Sequence, residues 1–263
     1  MLNGTVLDPP AEAEFVERLA SIDDLSEHGD HLARYRFSVQ FVQGARVLDL
    51  CCGIGYGSFL MAAAGAKEVR GLDVSEDALN AAKGQPTLPN LRFDYGDVCA
   101  TLPEPGTWDF VNCFEGVEHV PDPAKLLENI YAALKPGGLA VVSTPNADAY
   151  GGHSGNPFHI SEMSEAQYRA YIGKYPWKVQ WYAQIGEWIW SRPKWQQSLI
   201  ETAKRLKGGG ASETIAGGLS QPDTEGSRSA LDVDAGYPMP WKRALSISPK
   251  PPTVIIAVCQ KPF

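Results

Sequence analysis

Apolar runs and helix-like segments alternate along most of the chain. Seven runs are short and apolar enough to be buried strands, at 45–51, 68–74, 91–95, 109–114, 139–143, 179–184 and 253–259. Segments with helical spacing of apolar residues lie between the earlier runs, at 56–64, from Ser75 onwards and at 122–134. Strands that alternate with helices are typical of a parallel sheet covered by helices. The pattern predicts an α/β fold on a seven-stranded, mostly parallel sheet.

Two of the predicted helices have residues suited to their ends. Ser75 is followed by two acidic residues, an arrangement that favours the start of a helix. The helix at 122–134 is followed by Lys135 and then by Pro136 and two glycines, which end helices. These residues support the predicted order of elements.

The length of 263 residues suggests one large domain that carries an insertion. We expect an N-terminal helical cap at 1–44, a core formed by 45–173 and 252–263, and an insertion or lid at 174–251. Within the insertion, 208–236 is rich in glycine and has no usable periodicity, which predicts a mobile loop.

A tryptophan-rich patch precedes that loop. Its members are Trp177, Trp181, Trp188, Trp190 and Trp195. One interpretation is that they cover the edge of the sheet and pack under a helix. The other is that they form a lid or a wall for the substrate, since aromatic side chains stack on flat rings and sugar faces.

Charge and composition restrict the partners. The chain has 23 basic and 31 acidic side chains, a formal net charge of −8 that argues against a nucleic acid or an anionic membrane. The segment 187–251 departs from this balance, with seven acidic and nine basic residues. The five cysteines lack metal-ligand spacing, and the sequence has neither a leader-like start nor an apolar run of membrane-spanning length. We therefore expect a soluble, cytoplasmic protein.

Candidate ligand-binding residues follow the first three strands. Gly53 and Gly55 lie at a strand–loop–helix junction, where a ligand can approach the backbone and the free N–H groups of a helix start. Asp73 ends the second strand, 20 residues after Gly53, the place where dinucleotide-binding folds bind ribose hydroxyls. Asp97 follows the third strand. With Asp49 of the first strand, these make three acidic residues on successive strands, which suit a ligand with an amine, a ribose and an adenine.

The segment from Val47 to Gly55 resembles the first motif of class I S-adenosylmethionine-dependent methyltransferases, V-L-D-x-G-x-G-x-G. Cys51 stands at the position of the first of the three glycines in that motif. The resemblance implies a Rossmann-like, doubly wound fold with a C-terminal insertion or lid. It also implies S-adenosylmethionine as the cofactor, with an NAD-binding domain as the competing interpretation.

The resemblance also assigns roles to the cofactor-binding residues. Asp49 would orient either the amino group of the cofactor or the glycine loop, and Asp73 would hold the ribose diol. A helix before the first strand closes over the cofactor in related enzymes, and Arg34 there would pair with the methionine carboxylate, unless it lies on a solvated helix face. The complete predicted set is Arg34, Tyr35, Asp49, Cys51, Gly53, Gly55, Asp73, Val74, Asp97, Val98 and Cys113.

A second group of residues follows the fourth strand. Glu115, Glu118 and His119 are spaced i, i+3 and i+4, which places them on one side of a helical turn and suits facial binding of a divalent ion. The block resembles ubiquinone-biosynthesis O-methyltransferases and small-RNA 2′-O-methyltransferases. In the latter a further histidine comes from a segment after the fifth strand, and His159 is the candidate here. The resemblance implies a magnesium site formed by Glu115, Glu118, His119 and His159.

The same residues suggest a metal-free alternative. Many metal-free methyltransferases carry Glu-His at this place, and a histidine titrates near neutral pH. His119 or His159 would then be the general base, next to Glu118, with His153 as a weaker substitute.

We expect an O-methyltransferase that acts on a sugar hydroxyl, a diol or a glycosylated small metabolite. The Asn-Pro-Phe-His run at 156–159 is similar to that of methyltransferases that accompany glycosyltransferases. RNA 2′-O-methylation is a second hypothesis, which the acidic balance opposes. A metal-independent N- or O-methyltransferase is a third, and a non-catalytic cofactor-binding subunit is a fourth.

Overall fold

The computed structural model describes residues 29–84, 88–185, 237–247 and 251–263. The strands are β1 (Arg46–Leu50), β2 (Glu68–Asp73), β3 (Leu91–Tyr95), β4 (Trp108–Cys113), β5 (Leu134–Pro145), β6 (Lys178–Gln184), β7 (Met239–Pro240) and β8 (Val254–Gln260). The helices are α1 (Gly29–Ser38), α2 (Tyr56–Ala63), α3 (Glu76–Lys83), α4 (Pro123–Ala133), α5 (Glu165–Ile172) and α6 (Trp241–Ile247).

The strands form one sheet in the order β3-β2-β1-β4-β5-β8-β6-β7. The five strands from β3 to β5 are parallel, whereas β8 is antiparallel to both β5 and β6. The predicted mostly parallel α/β fold is confirmed, and the described residues form eight strands where seven were expected. The additional strand, β7, has two residues, which is too short for a pattern of apolar residues to reveal.

The strands read as apolar runs because both faces of the sheet are covered. In β1, Val47 and Leu48 are neighbours in sequence, lie on opposite faces, and are both fully buried. They belong to different apolar clusters, one on each side of the sheet. The core therefore consists of two layers of side chains, with the central strands between them.

The helix starts predicted from sequence have the expected hydrogen bonds. Ser75 caps α3 by accepting a hydrogen bond from the N–H of Ala78 at 3.3 Å, and Asp122 caps α4 by accepting one from Lys125 at 3.0 Å. Ser164 and Gln167 form a reciprocal capping box at the start of α5. α4 and α5 are thereby fixed at the end of the sheet where the candidate site lies.

Buried hydrogen bonds join helix α1 to strands β6 and β4. Arg34 donates from Nη1 to Gln184 Oε1 at 2.6 Å, and Gln184 donates back to the carbonyl of Asp30 at 2.9 Å. Ser38 donates to Asn112 of β4 at 2.8 Å. The described part of the predicted helical cap therefore lies against the same strands that form the site.

The predicted insertion at 174–251 is described only at its two ends. Its first part contains β6 and its last part contains β7 and α6, and both strands belong to the main sheet. Trp177 and Trp181 pack against the core, and the Arg169 guanidinium lies 4.1 Å from the ring of Trp181. The other three tryptophans and the loop at 208–236 lie outside the described residues, so the lid remains a prediction. No helix among the described residues is long and apolar enough to cross a membrane.

Candidate active site

The loop between β1 and α2, residues 51–55, is called the glycine loop here and has three residues with positive φ. They are Cys51 at 55°, Gly53 at 53° and Gly55 at 80°. Glycine adopts this conformation without steric cost, whereas a side chain costs about 1 kcal/mol. Cys51 therefore occupies a backbone position that suits the glycine usual in the resembled motif.

Gly53 and Gly55 lack a side chain for different reasons. A Cβ at Gly55 would lie 2.4 Å from the ring of Phe93 and 2.9 Å from Cβ of Ala82, so glycine is required where α2 and the loop approach β3 and α3. A Cβ at Gly53 would meet nothing within 4 Å. The backbone at Gly53 is therefore open to a ligand.

Asp73 fastens the loop to the end of β2. Its carboxylate accepts hydrogen bonds from the N–H of Gly53 at 2.8 Å and from the N–H of Ser75 at 2.9 Å. The next residue, Val74, is half exposed. Asp73 is therefore placed at the carboxyl end of β2, beside the open glycine, as the ribose-binding prediction requires.

The residues after β3 are divided between surface and core. Asp97 is exposed, and its carboxylate accepts a hydrogen bond from the N–H of Cys99 at 2.8 Å. Val98 is buried, and its carbonyl accepts a hydrogen bond from Asn129 at 2.9 Å. The side chain of Asp97 is accessible to a ligand, whereas that of Val98 belongs to the core.

Asp49 lies beneath the loop and is fully buried. It accepts hydrogen bonds from Ser58 at 2.6 Å and from Asn112 at 2.9 Å, and the hydroxyl of Tyr35 lies 3.5 Å away. Burial raises the pKa of Asp49 to about 6, although these hydrogen bonds oppose the shift. These contacts join β1 to α2 and to β4, and the two predicted roles of Asp49 stay predictions. Asn112 is a partner that the sequence analysis missed, although a polar residue in an otherwise apolar strand was a signal for it.

Three other predicted cofactor residues face inward. The ring of Tyr35 packs where a side chain on Gly57 would be, and Cys113 is fully buried beside Cys51. Arg34 is also buried, and among the nearby acidic groups that raise its pKa the strongest effect comes from Glu115. Cys113 thus contacts the loop and Tyr35 contacts α2. Arg34 is bonded to Gln184 and Asp30, so its pairing with the methionine carboxylate stays a prediction.

Glu115 does not join Glu118 and His119 on a helical turn, so that part of the prediction is wrong. Its φ is 48°, and the helical turn that follows covers only Val117–His119. The carboxylate of Glu115 instead accepts a hydrogen bond from Ser143 Oγ at 2.5 Å, and its own N–H donates to the same oxygen at 3.1 Å. The spacing rule fails because the chain is not helical at Glu115.

The other three predicted metal ligands come together. Each of Glu118, His119 and His159 offers one ligand atom, and these atoms lie within 4.8 Å of one another. Glu118 is fully buried, and Thr144 donates to its Oε2 at 3.1 Å. Its Oε1 has no hydrogen-bond partner among the described residues and lies 3.9 Å from Nε2 of His119. Burial, and then the charge of Glu115, raise the pKa of Glu118 well above its ordinary value.

Both imidazoles of this cluster are oriented through Nδ1. The Nδ1 of His119 lies 3.0 Å from the carbonyl of Phe158, and the Nδ1 of His159 lies 2.6 Å from Oε1 of Glu162. A carbonyl and a carboxylate can only accept a hydrogen bond, so we assign a proton to each Nδ1. In the neutral rings the lone pair is then on Nε2, as in histidines that bind metal or act as bases.

Glu162 was not among the predicted site residues. Burial alone would raise its pKa, but hydrogen bonds from Ser154 and His159 hold the pKa below its ordinary value. Its position three residues after His159 was the available signal. His153, in contrast, is exposed, and its Nδ1 accepts a hydrogen bond from the N–H of Gly155 at 3.0 Å. It lies outside the three-residue cluster.

The cluster and the glycine loop adjoin each other. A Cβ at Gly116, between Glu115 and Val117, would lie 2.7 Å from Sγ of Cys51 and 3.1 Å from Sγ of Cys113. The two groups of residues therefore form one site at the carboxyl ends of β1, β2 and β4, where ligands bind in open α/β sheets.

Comparison with known proteins gives a consistent result. A family model described as a methyltransferase domain matches residues 14–196. The ubiquinone biosynthesis O-methyltransferase of Ralstonia nicotianae is 42% identical over 112 residues, which cover 41% of this chain and 47% of that protein. The enzyme of the same name from Paraburkholderia xenovorans is 42% identical over 106 residues, 39% of this chain and 45% of that protein. The chain thus spans about half the length of the curated relatives it matches.

Solved structures share the fold at low sequence identity. A complex of the Haloferax volcanii Trm112 methyltransferase activator with a methyltransferase matches with a TM-score of 0.62 and 18% identity, over 92% of this chain and 93% of that chain. An S-adenosylmethionine-dependent methyltransferase from Mesorhizobium loti matches with a TM-score of 0.56 and 16% identity, over 88% of this chain and 98% of that chain. From the family match, the glycine loop and the strand order, we conclude that the chain belongs to the class I S-adenosylmethionine-dependent methyltransferases.

Proposed function

We propose that the protein is an O-methyltransferase that transfers the methyl group of S-adenosylmethionine to a hydroxyl of a sugar, a diol or a glycosylated small metabolite. The observation that carries the proposal is the cluster of Glu118, His119 and His159 beside the glycine loop, in which Glu118 and His159 are buried and His119 is partly exposed. A hydroxyl is a weak nucleophile until its proton leaves, whereas an amine needs no such help. A group of side chains that can remove a proton or hold a cation therefore favours a hydroxyl acceptor.

The glycine loop has the features that the cofactor requires. Gly53 leaves its backbone accessible, and Asp73 lies beside it with a carboxylate that already accepts two N–H groups. A carboxylate of this kind also accepts hydrogen bonds from a ribose diol. Asp73 fastens the loop to β2, and Asp49 joins β1 to α2 and β4 beneath it, so the loop is organised before a ligand arrives.

The cluster also fits a divalent metal ion, which we propose as part of the site. The buried Oε1 of Glu118 has no hydrogen-bond partner among the described residues, and the two imidazoles are oriented by acceptors at Nδ1. When bound, such an ion lowers the pKa of a coordinated hydroxyl. Two nitrogens and one oxygen suit Mn²⁺, Fe²⁺ or Zn²⁺ better than Mg²⁺, which prefers oxygen ligands. Glu115 accepts a hydrogen bond from Ser143 and is not part of the three-residue cluster, so the cluster supports a site with one carboxylate better than the expected site with two.

A metal-independent reaction is the alternative, and the same histidines would serve it. His119 is partly exposed and is held by the carbonyl of Phe158, so its Nε2 can accept the proton of a bound hydroxyl. RNA 2′-O-methylation requires contacts to phosphates, and the net charge of −8 opposes it.

The proposal is tested by measuring formation of the demethylated cofactor with a panel of acceptors, before and after removal of metal. We expect turnover with sugars or diols, no turnover with RNA or simple amines, and loss of activity in excess EDTA that Mn²⁺ restores. Glu118→Gln should lower activity by at least about 100-fold, because the cluster loses its carboxylate. Glu115→Gln is the matched control, with less than about a fivefold effect, since Glu115 lies outside the cluster.

Three results would count against it. Turnover with amines alone would exclude the hydroxyl acceptor. Full activity in EDTA would exclude the proposed metal ion and favour the metal-independent reaction with a histidine as the base. A loss of less than about fivefold in Glu118→Gln would mean that the three-residue cluster is not the reacting site, whereas an equal, large loss in Glu115→Gln would add Glu115 to that site.

A further inference from the structure

Glu162 has contacts that the proposed activity does not yet use. It lies just before the N-cap of α5, and its side chain is 4% exposed. Its Oε1 lies 2.6 Å from Nδ1 of His159, and its Oε2 accepts a hydrogen bond from the N–H of Ser154 at 2.8 Å. The hydroxyl of Ser154 donates to Oε1 as well. Both carboxylate oxygens thus have donors, and one of these donors is a ring of the cluster.

These contacts place a proton on Nδ1 of His159. The Ser154 hydroxyl lies 3.1 Å from Nδ1, but its hydrogen is donated to Glu162, so its oxygen faces the ring as an acceptor. A carboxylate oxygen faces the same nitrogen at 2.6 Å. Two acceptors around Nδ1 require a proton on Nδ1, and a neutral ring then has its lone pair on Nε2.

We propose that Glu162 is a positioning residue for His159, which acts by keeping the proton on Nδ1 and the lone pair on Nε2. In this tautomer Nε2 is the nitrogen that would bind the metal ion or accept the substrate proton beside Glu118 and His119. This inference rests on the proposed function for the role of His159. It goes beyond it by assigning the carboxylate that fixes the tautomer and the direction of the ring.

The same carboxylate also orders the segment that flanks the cluster. Ser154 contacts Glu162 through both its N–H and its hydroxyl, and the exposed His153 lies 3.4 Å from Oε2. Ser154 also accepts a hydrogen bond from the N–H of Asn156 at 3.2 Å. The carboxylate of Glu162 therefore orients the ring of His159 and also holds the backbone segment that precedes it.

The first measurement is the tautomer of His159 in the full chain, read from long-range proton–nitrogen NMR spectra of the imidazole nitrogens under mildly alkaline conditions. The unsubstituted protein should show His159 with its proton on Nδ1. Glu162→Met, which preserves side-chain size and removes the acceptor, should move the proton to Nε2 in a large share of molecules. Glu162→Gln should restore the Nδ1 proton, because its amide oxygen can still accept.

The second measurement is the affinity for Mn²⁺ alone, by calorimetry on the metal-free protein. Glu162→Met should weaken binding by about 10- to 100-fold, the usual effect of losing a carboxylate behind a ligating histidine. Glu162→Gln should lose less. Glu165→Ala is the matched control and should bind as the unsubstituted protein does, since Glu165 pairs with Arg169 at 2.7 Å, away from the cluster.

The two proposals fail separately. If the unsubstituted protein binds no Mn²⁺, the metal ion is excluded, and the tautomer measurement still decides the role of Glu162. If His159 keeps its proton on Nδ1 in Glu162→Met, the positioning role is overturned. The same conclusion follows if Glu162→Met and the Glu165→Ala control bind Mn²⁺ equally well. If Glu162→Met does not fold, Glu162→Ala is read by the same two measurements.

Discussion

At the scale of single residues, backbone strain is concentrated beside the site. Among the described residues, the non-glycine positions with positive φ are Cys51, Glu104 and Glu115. Cys51 is part of the glycine loop, and Glu115 lies next to the three-residue cluster. A left-handed conformation costs about 1 kcal/mol at such a residue and persists only where its surroundings hold it. Ser143 holds Glu115 through two hydrogen bonds, whereas Cys51 contacts Cys113.

The two glycines of the loop should respond differently to alanine. Gly55→Ala should lower the free energy of unfolding by more than about 2 kcal/mol, since the added methyl group would overlap the ring of Phe93. Gly53→Ala should cost only about 1 kcal/mol, the strain of a positive φ, because open space surrounds it. Urea unfolding of both variants measures the difference.

The same pair separates packing from ligand binding. Gly53→Ala should weaken binding of the demethylated cofactor by at least about tenfold, because its methyl group enters the space assigned to the ligand. Unchanged affinity in Gly53→Ala would show that the cofactor does not approach this part of the loop. Equal losses of stability in the two variants would contradict the packing argument.

Sequence and structure agree least at single residues. The spacing of Glu115, Glu118 and His119 suggested a common helical face, but the sequence does not show that Glu115 has a positive φ. The pairing of His159 with Glu162 was equally hidden, because it depends on how the loop between β5 and α5 returns to the cluster. Such details depend on tertiary contacts that local patterns do not contain.

At the scale of elements, the sequence was more informative. All seven predicted strands are present. The central ones, such as β1 and β4, were the plainest because strands buried on both faces form continuous apolar runs. Helix starts were visible in Ser75 and Asp122, which have the side-chain chemistry of caps. β7 was missed because two residues carry no periodicity, and its existence depends on pairing with Tyr182 and Ala183.

The capping box of α5 gives a prediction at this scale. Ser164→Ala should lower the free energy of unfolding by about 1 kcal/mol, because the N–H of Gln167 loses its acceptor. Ser164→Asp keeps an acceptor at the same place and is the matched control. Urea unfolding should place Ser164→Asp within about 0.5 kcal/mol of the unsubstituted protein. Equal destabilisation by both changes would show that the cap does not stabilise α5.

At the scale of the whole molecule, burial of charge beneath the loop couples stability to pH. The pKa of Asp49 rises from 3.8 to about 6 on folding, chiefly because the group is buried. The folded state therefore retains a proton that the unfolded state releases. The stability that Asp49 contributes is present below about pH 4 and is lost as the pH rises through about 6.

Asp49→Asn should remove this dependence. Between about pH 4 and pH 8, the unfolding free energy of the variant should gain about 2 to 3 kcal/mol relative to the unsubstituted protein. Urea unfolding across this range measures the gain. Asp77→Asn, at an exposed position on α3, is the control and should change by less than about 1 kcal/mol. Parallel curves for the unsubstituted protein and Asp49→Asn would show that Asp49 does not hold a proton in the folded state.

The overall organisation could be predicted where strands and helices alternate regularly, and could not be predicted where this alternation ends. The parallel half of the sheet followed from alternating strands and helices, and so did the position of the site at its carboxyl edge. Near the two ends of the predicted insertion, β6 and β7 are strands of the same sheet. The loop-like composition of the residues between them gave no sign of this pairing. Its interior, from 186 to 236, lies outside the described residues.

The position of β8 has a consequence for the order in which the protein is built. β6 pairs with β8 and with the short β7, and β8 alone connects β6 to β5. A ribosome releases β6 long before 254–260, so that strand must wait without its main neighbour while the parallel half can already assemble. The unpaired edge of a strand left in this way invites pairing with other chains. Expression yield should therefore depend on chaperones and translation speed more than the final stability of the protein would suggest.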